Sequence, residues 1–408
     1  MNQVRNYLWE LFHIFFRHYN FPCDLGLIRI GNPDQNSPVF LSGNYTLVVQ
    51  RLLRVLKKTG IDCYLLVANS RGSNVWCATG MNEYSEHDIV DAINVAELHE
   101  VVKHRKLIAP PYAAPGVDVR WIKDQTGFIV KWGPTHLNDI PRYVANGFQR
   151  TNDMLQAQFG FQDRLEQALS TGLAYCLTIS IGLFFWPKYV LIVMGIIYFV
   201  YLYSFCFWNF FPAEYHWRRS LTIAASLSVL FVGFGYWRGW TGTQFIIWEA
   251  MLVAVVSLYA MDACGSSTLY KATITHWLKK GDYHSLFDPV IDPEMCTNCH
   301  QCVLVCPRDV FAAKREGVKK VVSVKPQDCI ECMACVKQCY DDAIFNRSGK
   351  YKGDVKSIPN IDYLMTRDWS HLKDEDRWID HPTTIRKGLP VLQPPPLTVG
   401  VSVAEVVQ

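Results

Sequence analysis

A secretory signal core is not expected in the opening residues of this sequence. Its first twenty residues, MNQVRNYLWELFHIFFRHYN, scatter charges through their apolar run, so no uninterrupted signal core is present. Reduced thiols and a cytoplasmic setting for the polar parts are therefore expected. A dominant charge is missing too. Forty basic residues against 37 acidic ones leave a net +3, too little to argue for nucleic acid as a partner. A disulfide scaffold is excluded by size, because such scaffolds are short and secreted, whereas this chain spreads 14 cysteines over 408 residues. Four apolar runs, described below, contain no histidine; His216 and His276 lie outside them. A membrane haem wants paired axial ligands, so a haem-b carrier is disfavoured. No cysteine follows Cys339.

What is present is a mixture. Half of the residues are hydrophobic and the mean hydropathy is +0.04, although 19% are charged. Such an average combines polar domains with apolar segments, and the length predicts two or three domains. Residues 168–186, 189–211, 220–237 and 243–262 each approach the roughly 20 apolar residues that cross a bilayer, which predicts a four-helix transmembrane domain over 168–262. Arg218 and Arg219 lie in the second connection, against the single Lys188 and Arg238 in the others. This asymmetry predicts a multi-pass protein of the cytoplasmic membrane with its soluble domains in the cytoplasm. Glu249, inside the fourth run, is either a functional intramembrane carboxylate or a residue facing a partner helix.

On the N-terminal side, residues 1–25 predict a helix with Tyr7, Leu8, Leu11, Phe12, Phe15 and Phe16 at helical spacing, either lying in a membrane interface or, the preferred reading, packed on the next domain. Residues 26–165 alternate strands and helices. Strands are predicted at 38–41, 62–68, 106–109 and 128–132. Helices are predicted at 44–58, stopped by Gly60, from Ser85 with Asp88 closing a capping box, and at 137–145 before Gly147. This order implies an α/β domain with a parallel sheet covered on both faces, and ligands there sit at the carboxyl ends of the strands. The loop over 69–84 lies at such an end. Residues 263–290 read as a linker, 291–347 as the cysteine-rich domain, and 348–408 as an extended, Pro-rich tail.

The most specific signal is C-x2-C-x2-C-x3-C-P at Cys296, Cys299, Cys302 and Cys306-Pro307. It is repeated at Cys329, Cys332, Cys335 and Cys339, where Tyr340 replaces the proline. In this pattern three closely spaced thiolates wrap one cubane and the fourth comes from the other motif. Cys296, Cys299, Cys302 and Cys339 are assigned to one [4Fe-4S] cluster, and Cys306, Cys329, Cys332 and Cys335 to the second. The doubled spacing argues against structural zinc. It resembles the α+β fold of bacterial two-cluster ferredoxins and implies one-electron transfer.

The loop over 69–84 carries Cys77, a soft ligand at a strand's carboxyl end, with Ala78 and Gly80 small enough for a large planar group to approach. A lone cysteine is more often a small buried hydrophobe. Here a resemblance bears on the choice. Asn74-Val75-Trp76-Cys77-Ala78-Thr79-Gly80 resembles the cap-helix motif of the HgcA family of mercury-methylating corrinoid proteins. That family is related to the large subunit of the corrinoid iron–sulfur protein of acetyl-CoA synthesis. Gly31-Asn32-Pro33, Ser37-Pro38-Val39, Gly43-Asn44-Tyr45, Ala114-Pro115-Gly116, Gly127-Phe128 and Gly133-Pro134 extend the likeness. A membrane domain follows in that family, and its ferredoxin partner is similar to residues 291–347, so the chain looks like a fusion of the two.

The resemblance implies a cobalamin-type corrinoid bound base-off, with the Cys77 thiolate as lower axial ligand of cobalt. Gly43, Asn44, Asn74, Val75, Trp76, Ala78, Thr79 and Gly80 would surround it. It also implies a corrinoid-dependent methyltransferase in which the clusters restore reduced cobalt. Its partners would be a methyl-pterin donor or the methyltransferase carrying it, an electron donor, the membrane, and Hg(II) as an acceptor. Met81 stands where the family has lysine, Thr79 where it has Ala or Gly, and the C-terminal cysteine pair is missing. Two rival readings follow: the same chemistry with another acceptor in one-carbon metabolism, and a membrane electron-transfer iron–sulfur protein without corrinoid.

Overall fold

A computed structural model describes residues 2–80, 83–157, 160–182, 187–207, 210, 216–262, 289–291, 295–313, 321–325, 329, 332–341 and 343–346. The predicted linker over 263–288, Met81 and the tail from 347 onward lie outside the described residues. The chain divides into two compact units, one of residues 1–19 with 158–274 and one of 20–157 with 275–408.

In the second unit, β1 (Gly26–Ile30), β2 (Val39–Gly43), β3 (Cys63–Ala68), β4 (Lys106–Ala109) and β5 (Ile129–Trp132) form one sheet in the order β1-β3-β2-β4-β5. Strands β2 to β5 are parallel, and β1 is an antiparallel edge on β3. The chain leaves β2 for β3 on one side, then crosses over to β4 on the other. A right-handed crossover on each side puts the helices on opposite faces. The side chains alternate accordingly. Val39, Leu41, Tyr64, Leu66, Ala68, Leu107 and Ala109 enter one core; Phe40, Cys63, Leu65 and Val67 enter another, with Ile108 packed against it. The helix α2 (Thr46–Thr59) contributes Val49, Leu52 and Leu56 to the second core and ends on Gly60 in the left-handed region.

The first core is covered by α3 (Val75–Gly80), α4 (Glu86–Val95), α5 (Leu98–Val101) and α6 (Val119–Thr126), and α7 (Ile140–Ala145) packs on α2. The expected capping box is present, with Asp88 accepting from the Ser85 amide at 2.8 Å. Asp118 caps α6 through the amides of Arg120 and Trp121.

In the first unit, α1 (Asn2–Phe15) packs on α8 (Phe161–Gly182), and His18 and Thr171 hydrogen-bond at 3.2 Å. This unit also contains α9 (Pro187–Cys206), α10 (His216–Arg238) and α11 (Gly242–Asp262). Among the described residues, no helix is long and apolar enough to cross a membrane. This corrects the expected transmembrane domain, the membrane partner and the multi-pass membrane localisation. In α8 the physical reason is plain: the helix begins at Phe161, and Asp163, Arg164 and Glu166 occupy its opening turns. Glu249 accepts a hydrogen bond from Ser228 of α10 at 2.9 Å, the partner-helix reading.

Residues 289–346 of the second unit form a small cysteine-rich module. It pairs β6 (Pro289–Ile291) with β9 (Ile344–Asn346) and β7 (Phe311–Ala313) with β8 (Val321–Ser323), all antiparallel. Two single-turn helices, α12 (Gln301–Val305) and α13 (Ala334–Lys337), lie within the two motifs. The repeat is visible in the backbone: His300 and Met333, at matching places in the motifs, both adopt positive φ, 63° and 61°.

Candidate functional site

Two places in the second unit carry chemistry, and each is built by a few residues. The first lies at the carboxyl ends of β2 and β3, beside the point where the strand order reverses, the usual ligand position in open α/β sheets. Asn44, at the end of β2, is buried, and its Oδ1 accepts from the amides of Ser70 at 2.9 Å and Gly72 at 3.0 Å. It thereby ties the loop after β3 to β2. Gly43 has no room for a side chain, since a Cβ there would come within 2.5 Å of Ser70 Oγ and 2.9 Å of Val75. Gly72 takes positive φ, and its carbonyl accepts from the Phe21 amide.

This pinned loop delivers α3. Asn74 opens it by accepting from the Trp76 amide at 2.9 Å. Val75, Ala78 and Thr79, at i, i+3 and i+4, turn into the core. Cys77 is left exposed on the opposite face, with Trp76 and Asn74 half-buried beside it. Trp76 meets the ring of Tyr112 edge-on at 5.0 Å, and the Thr79 hydroxyl donates to the Trp76 carbonyl at 3.0 Å. Of the residues expected around a corrinoid, then, the structure presents Cys77, Trp76 and Asn74 outward. Gly43, Asn44, Val75, Ala78 and Thr79 serve the packing beneath them, so Ala78 is not the small platform the sequence suggested. Gly80 ends the helix. An exposed thiol on a short helix anchored from below fits the donor a soft metal centre requires.

The second place is the cysteine-rich module. Cys306, Cys329, Cys332 and Cys335 line one cavity with Pro307, Val310, Phe311 and Met333. Burial pushes the Cys332 thiol up to about 12, with Cys306 adding to it. Burial also raises Cys335, and its neighbours Cys332, Cys329 and Cys306 push the same way. The other four cysteines gather likewise: burial takes Cys302 up to about 12, and Cys339, Cys299 and Cys296 contribute. Backbone amides point at three of the sulfurs, Asn298 to Cys296 at 3.4 Å, Val310 to Cys306 at 3.4 Å and Ala343 to Cys339 at 3.2 Å. Donors of this kind stabilise thiolates and tune clusters. Among the described residues no three metal-binding side chains converge on a single ion. A cubane holds its ligands farther apart than one ion does, and a cage of four thiols lined with apolar residues fits it.

Sequence reasoning missed the residues that join the module to the α/β domain. Gln338 is buried, and its amide donates to the carbonyls of Ala114 at 2.8 Å and Val117 at 2.7 Å. Lys337 meets Glu86 of α4 at 3.7 Å; the Glu86 side chain is fully buried and that of Lys337 is 9% exposed. Burial lowers the pKa of Lys337, and Glu86 and then Asp118 oppose that shift. Arg150 reaches the Leu304 carbonyl at 3.1 Å, the Ala157 amide donates to Pro307, and Arg120 lies over the Tyr340 ring at 5.5 Å. Val305 and Ala334 belong to the same core as Leu66 and Leu107, with Cys332 packed against it. Lys337 and Gln338 sit between two cluster ligands, where polar residues read as a solvated face.

Comparison with known proteins fits these two places. Residues 21–144 match the family model described as CO dehydrogenase/acetyl-CoA synthase delta subunit, and residues 288–340 match a 4Fe-4S dicluster domain. The acetyl-CoA decarbonylase/synthase complex subunit gamma of Methanopyrus kandleri is 31% identical over 119 residues, 29% of this chain and 25% of the relative. The subunit gamma of Methanothermobacter thermautotrophicus is 31% identical over 121 residues, 30% of this chain and 26% of that protein. A putative pyruvate-flavodoxin oxidoreductase of Synechocystis is 30% identical over 93 residues, 17% of this chain and 8% of the relative. The chain thus spans about a quarter of the length of the subunit gamma relatives. It joins a domain of the corrinoid iron–sulfur protein family to a 4Fe-4S dicluster domain. That combination is consistent with an HgcA-like fusion.

Proposed function

We propose that the chain is a corrinoid-dependent methyltransferase that carries its own electron supply. The observation that carries this reading is the placement of Cys77: a thiol exposed on an anchored helix, at the ligand position of a domain matching the corrinoid iron–sulfur protein family. Cys77 would hold a corrinoid, base-off, through its thiolate, and Trp76 and Asn74 would border it. When bound, the corrinoid supplies a cobalt centre that accepts and gives up a methyl group. The chain's own part is to present one strong sulfur donor on a helix that the core holds still, and to keep the reducing module docked alongside. The module would hold two [4Fe-4S] clusters on the cysteine sets assigned above, and keep the metal centre in its reduced state.

The acceptor separates two versions of this reading. Hg(II) prefers soft ligands on its path, a pair of thiols above all. Met81 replaces the family's lysine, and Thr79 its Ala or Gly. These departures favour an acceptor in one-carbon metabolism, as the names of the relatives suggest, over mercury as the main substrate. The donor is then a methyl-pterin or its methyltransferase.

Isotopic methyl transfer tests the proposal. The full chain, reconstituted with iron and loaded with labelled methylcorrinoid, is offered Hg(II), a thiol or a pterin, beside Cys77→Ala. We expect label on at least one acceptor, dependent on Cys77. Label that remains on the protein in every arm would refute it.

A further inference from the structure

The two cysteine sets differ in their surroundings. Cys306, Cys329, Cys332 and Cys335 line one cavity with Arg308 at its wall, and Cys332 packs against the α/β core to which Val305 and Ala334 belong. Each set has two buried cysteines, but Cys329 and Cys332 are half-exposed, whereas in the other set Cys296 is half-exposed and Cys299 fully exposed, with Thr297 tied to Asp341 at 2.8 Å through its amide. The segment over 111–118 lies between the module and α3. On one side Tyr112 meets Trp76, and a Cβ on Gly116 would come within 2.7 Å of Thr79. On the other side the carbonyls of Ala114 and Val117 take both hydrogens of the Gln338 amide. The module is held by a buried ion pair, a buried amide clamp and shared core residues. It is built into the domain and is not a ferredoxin that comes and goes.

We infer that this docking gives the electron relay a direction. The Cys296, Cys299, Cys302 and Cys339 set is the entry, open to an external one-electron carrier of low potential. The Cys306, Cys329, Cys332 and Cys335 set is the exit, facing the α/β domain and serving the α3 face across residues 111–118. Gln338, between Cys335 of the exit set and Cys339 of the entry set, clamps the module in this orientation. The inference rests on the methyl-transfer reading for what lies at the end of the relay. One electron would pass from the carrier, which is oxidised by one, through the clusters the two sets would hold to the metal centre Cys77 would hold, which is reduced by one. No bond or proton changes place in the relay.

The test needs no corrinoid. Reduced full-length protein is mixed with a water-soluble gadolinium chelate, and the relaxation of each cluster's EPR signal is followed. Cys332→Ser isolates the entry signal and Cys299→Ser the exit signal. The entry signal should relax several-fold faster with the chelate, and the exit signal should change little. In the unmutated chain a hydrophilic iron chelator should strip the entry first, so that alkylation marks Cys296, Cys299, Cys302 and Cys339 before the other four. Gln338→Glu, which sets a carboxylate against two carbonyls, should open the exit to the chelate at unchanged iron content. Equal exposure of the two signals, or alkylation in the reverse order, would overturn the direction. Asymmetry without Cys77-dependent corrinoid binding would overturn the methyl-transfer reading and leave the order of the clusters standing. Corrinoid binding with equal exposure would overturn the order alone.

Discussion

The α/β domain and the cysteine-rich module share one interface, yet they are held together by different physics. The domain stacks five strands between two apolar cores, and Leu65, Leu66, Leu107 and Ile122 have no exposed surface. The module has three-residue strands, helices of four and five residues, and a core in which Cys302, Cys306, Cys335 and Cys339 stand among a few apolar residues. Elements that short do not persist alone. A thiol cage of this kind folds around what it binds, so its binding energy is folding energy. The comparison separates a self-sufficient scaffold from a passenger whose order depends on its clusters and on the scaffold's surface.

The largest expected effect breaks the comparison outright. Stripping iron under anaerobic conditions should abolish hydrogen-exchange protection over 289–346 and leave β2, β3 and β4 protected. Lys337→Met comes next. It leaves Glu86 buried without its cation, a change of about 3–5 kcal/mol against the docked state. Adding Glu86→Gln should recover much of that loss, and chemical denaturation of the four proteins measures the cycle. Gln338→Ala removes the donor from two carbonyls and should cost about 1–3 kcal/mol, seen as faster exchange over 111–118. The smallest effect is Asp118→Ala, which uncaps α6 for about 1 kcal/mol and should lower the melting temperature without altering iron content.

The sheet was largely legible. Lys106–Ala109 coincides with its prediction, and β3 and β5 begin one residue later than expected, because buried parallel strands read as continuous apolar runs. The run Gly26–Ile30 escaped, since β1 is a half-buried antiparallel edge with Arg29 facing out. The helix α3 is six residues long, too short to show a period, and only the resemblance pointed to a helix there. The membrane expectation came from four successive apolar runs, each approaching twenty residues. It gave too little weight to the charges that open α8, and the described helices do not meet the length and apolarity a bilayer demands. The cysteine sets were assigned from spacing alone. Their docking was not legible, because neither Lys337 nor Gln338 departs from what an exposed turn would contain.

The central claim is that Cys77 presents a thiolate to a corrinoid on a scaffold that does not need the ligand to fold. The visible spectrum of anaerobically purified protein with added cobalamin tests it most directly, beside Cys77→Ala at the same iron content. The account predicts a retained corrin band whose position shifts in Cys77→Ala, with unchanged protection of β2, β3 and β4. Identical spectra for the two proteins, or no retained corrin band in either, would contradict it.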